Sequence, residues 1–347
     1  MNTVLLTGGA GFFGGVLKHR LLDAGYTCVS VDLQPDHTKH DRLTTFQLDI
    51  RDRAAMQELF VQYRFEAILH CAAMLAHDVS DRNFLWTSNV DGTRILADLA
   101  DAFAVRKVVF TSSNCLWAHP FDRPVTESDV PAPREIYGES KWAGERILLD
   151  PKHRFAAVVV RTPTIIDAGR LGLLSILFEF IAEGRRVWVV GGGTNRYQFV
   201  YAPDLADACV RALESAAAGV FNVGSDNVAA LRDVYQYVID RAGTPARVAS
   251  LPRQPTLALM RLAYRLGASP LGPYQYRMIA ESFLFDTSKI KRELGWSPTL
   301  SNAEMLYRAY AYYESHAAEI RARDRADASA HRRPAPMGVI RLLKWMS

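Results

Sequence analysis

Glycines at positions 8, 9, 11 and 14 stand between a short apolar run, Val4-Leu5-Leu6, and a segment over residues 16–22 whose apolar residues recur at helical spacing. A strand that passes straight into a helix through residues lacking Cβ leaves few folds open. Such a turn lets backbone approach a pyrophosphate and packs the helix tightly on its strand. The free N–H groups of the helix start then receive the phosphates. The next strand pattern, Tyr26–Val31, closes on Asp32. A carboxylate there can accept both ribose hydroxyls of NAD and repel the 2′-phosphate of NADP. Lys39 and Arg42 follow nearby and are the residues that could serve a phosphate instead.

Strand patterns at residues 3–7, 27–31, 45–48, 66–70, 106–111 and 156–160 alternate with helix patterns at 14–24, 53–63, 84–102 and 137–149. Alternation of this kind predicts βαβ units, hence an α/β chain with a doubly wound parallel sheet covered on both faces. After residue 161 the rhythm fails. The pattern there predicts a helix over 171–183, a strand over 187–190, a turn at Gly191-Gly192-Gly193 and a strand over 198–201. Asp204 is placed to cap a helix starting near Leu205, a strand follows at 220–223, and helices cover 231–242 and much of 255–283. The expected organisation is a nucleotide-binding domain over 1–168, with later pieces near 196–230 returning to it. A smaller, mainly helical lid over 169–320 interleaves with it and holds a small-molecule substrate in the cleft between them. A basic tail occupies 321–347.

Charge and cysteine usage exclude several classes. The chain carries a net +4. Seven basic residues against three acidic ones place all of that excess in residues 318–347. The remaining body is neutral, which argues against nucleic acid as a partner. Cys28, Cys71, Cys115 and Cys209 show no paired spacing, which fits a reducing cytoplasm and no metal site. Met1-Asn2-Thr3 leads directly into a strand, and no apolar run approaches the ~20 residues needed to span a bilayer. The end of the tail, 339–346, sets Arg341 and Lys344 beside an apolar stripe with Trp345, the pattern of an interfacial helix that makes weak membrane-surface contact. A frayed or packed terminus is the commoner fate of such a segment.

The chemistry concentrates in Tyr137-Gly138-Glu139-Ser140-Lys141. Tyr and Lys four residues apart share one helix face, one turn from each other. A Lys ammonium there favours the phenolate. Working near neutrality from a free value near ~10 takes a shift of about 3 units, or roughly 4 kcal/mol. Ser113 ends a strand pattern upstream, and Asp49 follows another.

These stretches resemble the extended short-chain dehydrogenase/reductase family, the NAD-dependent epimerase/dehydratase group. The resemblance runs through nearly all of residues 1–300. It includes Leu48-Asp49-Ile50, His70-Cys71-Ala72-Ala73, Asn89-Val90-Asp91-Gly92-Thr93, Thr111-Ser112-Ser113, Arg161-Thr162-Pro163, Gln198–Asp204, Phe221-Asn222-Val223-Gly224 and Leu294–Pro298. It implies a Rossmann sheet and NAD as cofactor, held by Gly8, Gly11, Phe12, Phe13, Gly14, Asp32, Asp49, Ile50, Ala72, Ala73 and Asn89. Tyr137 would be the acid/base, Lys141 would hold the nicotinamide ribose, Ser113 would bond the substrate oxygen, and Asp49 the adenine amine. Asn89 would chiefly be structural, and the family often forms homodimers. Read without the family, Ser113 is a strand-end cap and Asn89 a helix N-cap.

The implied activity is an NAD-dependent epimerase or oxidoreductase acting on a nucleotide-activated sugar. The rivals are a 3β-hydroxysteroid-like or other apolar-alcohol dehydrogenase, and a non-catalytic NAD(H)-binding regulator. Asn114, Cys115 and Thr164 are the substrate-side candidates. Thr164 stands where sugar-nucleotide epimerases carry an Asn, and Asp167-Ala168 where they carry Gly-Pro. Ser113-Asn114-Cys115 replaces the Thr-Asp-Glu of 4,6-dehydratases, which argues against that chemistry. Cys115 is read as a packing residue in preference to a second acid/base.

Overall fold

The computed structural model describes residues 2–75, 81–267 and 278–322. In chain order the first half runs β1 (Thr3–Thr7), α1 (Phe12–Asp23), β2 (Thr27–Asp32), β3 (Leu43–Gln47), α2 (Arg53–Gln62) and β4 (Ala67–His70). Next come α3 (Arg82–Trp86), a π-helical turn (Thr87–Asp91), α4 (Gly92–Ala102), β5 (Lys107–Ser113), α5 (Ile136–Leu148) and β6 (Ala156–Thr162). The second half has β7 (Thr164–Ile166), α6 (Leu174–Ala182), β8 (Arg186–Val190), β9 (Phe199–Tyr201), α7 (Ala202–Glu214), β10 (Gly219–Asn222), α8 (Leu231–Ala242), β11 (Arg247–Leu251) and α9 (Arg253–Arg265). Unlabelled helices at Ser288–Leu294 and Asn302–Ser315 follow.

The central strands are near-continuous runs of Val, Ile, Leu and Ala because both their faces are buried. They form a seven-stranded sheet in the order β10-β6-β5-β4-β1-β2-β3, every pair parallel. The register sets Thr7 level with Val31 and His70, and Ser113 level with Thr162, so these residues share the carboxyl edge. The order reverses between β1 and β4, which opens a crevice at that edge.

Helices pack on both faces. Leu17 and Leu21 of α1 share one apolar core with Val210 of α7 and Trp296. Met56 and Phe60 of α2 share the other with Leu96 of α4 and Phe110 of β5. Residues beyond Ile166 build a third core around Phe178, Ile239, Met305 and Tyr310. It includes two small parallel sheets, β7 with β9 and β8 with β11, of which β7 and β11 are not expected from pattern.

Three local expectations are corrected. Strand β3 begins at Leu43, ahead of the expected 45. Asn89 is not an N-cap, because α3, the π-helical turn and α4 run on without a break and Asn89 lies inside the turn. Asp204 is not a cap either; it sits inside the first turn of α7. Its carboxylate instead accepts Thr299 N and Oγ1 at 2.8 and 2.7 Å, fastening the segment after Trp296 to α7. The tail segment 339–346 lies outside the described residues.

Candidate active site

The turn from β1 to α1 is a cradle that side chains would fill. Gly8 has φ +79°, and a Cβ there would meet Ala72 N at 2.7 Å. A Cβ on Gly14 would meet Gly8 O at 2.0 Å. Helix α1 starts at Phe12 and Phe13 with no side-chain cap on Gly11 and no acid in its first turn. Its first N–H groups therefore point into the crevice toward any anion placed there. Asp32 closes β2 beside this turn and accepts Ala10 N at 3.0 Å and Gln34 N at 2.9 Å. Burial raises its pKa, while those N–H groups pull it down. This donor set fits the pyrophosphate and ribose of NAD.

Neighbouring charges are committed elsewhere. Lys18 is buried on α1 and pairs with Asp36 at 2.5 Å and Thr38 at 2.8 Å, tying down the chain after β2. Arg42 donates to Leu22 O at 2.7 Å, at the far end of β3 from Asp32. It is not at hand for a 2′-phosphate. Lys39 is exposed. Asp49 is chelated by Arg51, with Nε and Nη2 on its Oδ2 at 2.9 and 2.6 Å. Burial works against this carboxylate, but the Arg51 bonds hold its pKa below the ordinary value. Ile50 beside it is buried. Ala72 borders Gly8 on the other side of the crevice, and Ala73 follows it, half-buried.

A buried polar chain links this cradle to α5. Ala72 N–H donates to Thr7 Oγ1, which lies 2.7 Å from His70 Nδ1. His70 Nε2 lies 2.9 Å from Thr93 Oγ1, and Thr93 donates to Asn89 O at 2.6 Å. The single Thr93 proton is therefore spent, so His70 carries its proton on Nε2 and accepts at Nδ1. Asn89 Oδ1 accepts Met74 N at 2.7 Å, and its Nδ2 donates to Met74 O and to Ser140 Oγ. Ser140 in turn donates to Tyr137 O at 2.8 Å.

Burial lowers the His70 pKa to about 3, with Lys141 adding to the fall. The sign follows. Between about 3 and the unfolded value near ~6.5 only the unfolded chain binds the proton. The neutral ring thus contributes stability that is fully present above that upper value and is lost as pH falls toward about 3. We expect the melting temperature to fall on acidification below that point, and His70→Asn to flatten the fall. Melting curves of both proteins from pH 7 to 4 test this; parallel slopes would disprove it.

Strand β5 ends at Ser113, and the chain turns at once through a 3₁₀ turn, Asn114–Leu116. Ser113 Oγ accepts Cys115 N at 3.1 Å, and the Ser113 hydroxyl is near enough to the Tyr137 phenol to favour its ionised form. Helix α5 comes in close: a Cβ on Gly138 would meet Cys115 O at 2.3 Å. Lys141, one turn beyond Tyr137, is buried with Nζ 4.0 Å from the Phe110 ring centroid, a cation–π contact.

The electrostatics differ from the expectation from spacing. Burial pushes the Tyr137 phenol well above its usual value, Cys115 adds to the rise, and the Ser113 hydroxyl opposes it. Burial also lowers Lys141 to about 8, against Cys71, Glu145 and Cys115, which act to raise it. In the chain by itself, desolvation of the phenolate outweighs the Lys charge, so Tyr137 is protonated near neutrality.

The structure thus brings Ser113, Tyr137 and Cys115 together, with Lys141 behind them. Asn114 points away and donates to Tyr197 OH at 2.6 Å. Thr164 begins β7, with Oγ1 3.9 Å from Met278 Sδ. Asp167 accepts its neighbour Ala168 N at 2.7 Å and Arg308 Nε at 3.1 Å.

Sequence reading missed the buried pair under α5. Arg161 donates through Nη2 and Nε to Glu145 at 2.7 and 3.0 Å, and Ser112 donates to the same carboxylate at 2.5 Å. Glu145 is fully buried, and the Arg161 guanidinium stands 5.1 Å from the Trp117 ring centroid. The available signal was Glu145 four residues after Lys141, one acid on the helix face that already carries the chemistry.

The chain resembles known proteins along most of its length. The model of the NAD dependent epimerase/dehydratase family matches residues 4–224. An uncharacterized protein of Sinorhizobium fredii, y4nG, is 34% identical, covering 99% of this chain and 86% of that protein. The UDP-glucose 4-epimerase of Mycolicibacterium smegmatis is 30% identical, covering 90% of this chain and 98% of that enzyme. Among solved structures, the UDP-glucose 4-epimerase of Thermotoga maritima with UDP-glucose superposes with a TM-score of 0.74 at 22% identity, covering 91% of this chain and 99% of that one. WbmG of Bordetella bronchiseptica in complex with NAD and UDP also scores 0.74, at 20% identity, covering 90% of this chain and 94% of that one. At these identities the structural likeness is one of fold.

Proposed function

We propose that this chain, which belongs to the NAD dependent epimerase/dehydratase family, is an NAD-dependent epimerase acting on a hydroxyl of a nucleotide-activated sugar. The observation that carries the reading is the meeting of Ser113, at the carboxyl edge of the sheet, with Tyr137 of α5, beside the glycine cradle and with Lys141 one turn along the helix. The likeness to the M. smegmatis enzyme along 90% of the chain supports a uridine diphosphate sugar.

In this reading Tyr137 works as the phenolate, which Lys141 together with the positive charge of bound NAD would favour; it takes the proton of a ring hydroxyl and returns it to the carbonyl oxygen. Ser113, beside the phenol, holds that same oxygen. Lys141 brings positive charge to the phenolate side and is positioned for the nicotinamide ribose. Hydride acceptance and return is the chemistry that bound NAD supplies. Gly8, Gly11, Phe12, Phe13 and Gly14 would hold its pyrophosphate through backbone, and Asp32 its adenosine ribose. Cys115 lies within the field of Tyr137.

The experiment uses UDP-glucose and UDP-galactose in separate reactions. The expected result is one common ratio reached from both sides, without net NADH absorbance, by protein that retains NAD through gel filtration. Stoichiometric NADH with no epimer would show a dehydrogenase instead.

A further inference from the structure

Helix α9 presents its apolar residues to solvent. Leu257 alone among them is buried, in a small core with Val190 and Ala280. Leu259, Leu262 and, just past the helix, Leu266 are 66%, 53% and 72% exposed. At 100° per residue these three share one stripe, on the side of the helix opposite Leu257.

Charge in the sequence around α9 is one-sided as well. No Asp or Glu occurs between Asp240 and Glu281, while Arg241, Arg247, Arg253, Arg261, Arg265 and Arg277 all fall there. That concentration of positive charge exceeds the +4 of the whole chain.

From the leucine stripe and the acid-free arginine run together, we propose that α9 docks the protein on an anionic lipid bilayer. A bilayer surface offers hydrocarbon for the leucines and phosphates for arginines that reach past them. A second copy of the chain would set arginines against arginines. A nucleic acid would satisfy the charge but give three exposed leucines nothing to enter. Among the described residues no helix is long and apolar enough to cross a membrane, so the contact is peripheral. The proposal stands apart from the epimerase reading.

Its test is co-sedimentation of the full-length protein with phosphatidylcholine vesicles, with and without phosphatidylglycerol, across a range of salt. Binding should be roughly tenfold or more tighter to the anionic vesicles and should weaken as salt rises. Leu259→Glu with Leu262→Glu should remove that preference, roughly tenfold or more, while melting temperature and NAD retention stay unchanged because both side chains are exposed. Leu343→Glu with Trp345→Glu, in the tail, should leave most of the binding. The proposal fails if the α9 variant binds as well as wild type or if the tail variant alone abolishes binding. It also fails if the only effect of the α9 changes is loss of self-association in sedimentation, which would make the stripe a subunit interface.

Discussion

Tyr137→Phe should lower the turnover number by about 10²–10⁴-fold, the usual worth of a positioned acid/base. The substitution keeps the ring and its packing and deletes only the oxygen that faces Ser113. Melting temperature and NAD retention should stay close to wild type. Because the same oxygen both accepts and returns the proton, forward and reverse epimerisation should fall together. Initial rates in both directions, with a melting curve as the fold control, provide the check. A variant retaining more than about a tenth of wild-type turnover would remove Tyr137 from proton transfer.

Glu145→Gln should cost about 3–5 kcal/mol of stability, the typical result of leaving one member of a buried ion pair uncompensated. Arg161 is 2% exposed and has no water to replace the lost carboxylate. That cost is a large part of the roughly 5–15 kcal/mol that holds an ordinary domain folded. The effect should reach activity as well. Glu145 fixes α5, which carries Tyr137 and Lys141, to Ser112 on β5 and Arg161 on β6. Changing both partners, Glu145→Leu with Arg161→Met, should recover much of the stability, since an apolar pair of similar volume can replace a buried ion pair. Urea titration of the three proteins decides; a single-variant loss under about 1 kcal/mol would mean that the pair is solvated in solution.

The parts of the fold legible in the sequence are those written in short-range pattern. Val4–Leu6, Val29–Val31 and Val158–Val160 are buried on both faces, so an apolar run reads as a strand without knowledge of its partners. The glycine cradle is legible because its positions tolerate no Cβ. Strand β7 has three residues and β11 opens on an exposed Arg247, too little for periodicity to register. Lys18 looks like a surface residue of an amphipathic helix until Asp36 comes to meet it. Arg42 looks available for a phosphate until the sheet register carries it to the opposite edge. Spacing placed Tyr137 and Lys141 on one face of α5, but it could not show how dry that face is, and dryness sets the direction of the phenol pKa.

The seventh strand has a consequence for how the chain is made. Strand β10 pairs with β6 in the sheet but follows it by about 60 residues, and synthesis at ~5–20 residues per second leaves β6 bare for several seconds on the ribosome. During that interval its hydrophobic Ala156–Val160 edge is the part of the nascent protein most exposed to wrong pairing. Once β10 docks, its own outer edge is closed by side chains, with Asn222 N on Glu127 Oε1 at 2.9 Å and Val220 O on Lys289 Nζ at 2.8 Å. Lys289 is added about 70 residues later still, so the β10 edge stays open until the helix that carries it has been made. Chains interrupted between β6 and the helix Ser288–Leu294 should therefore be the ones that chaperones retain and proteases clear.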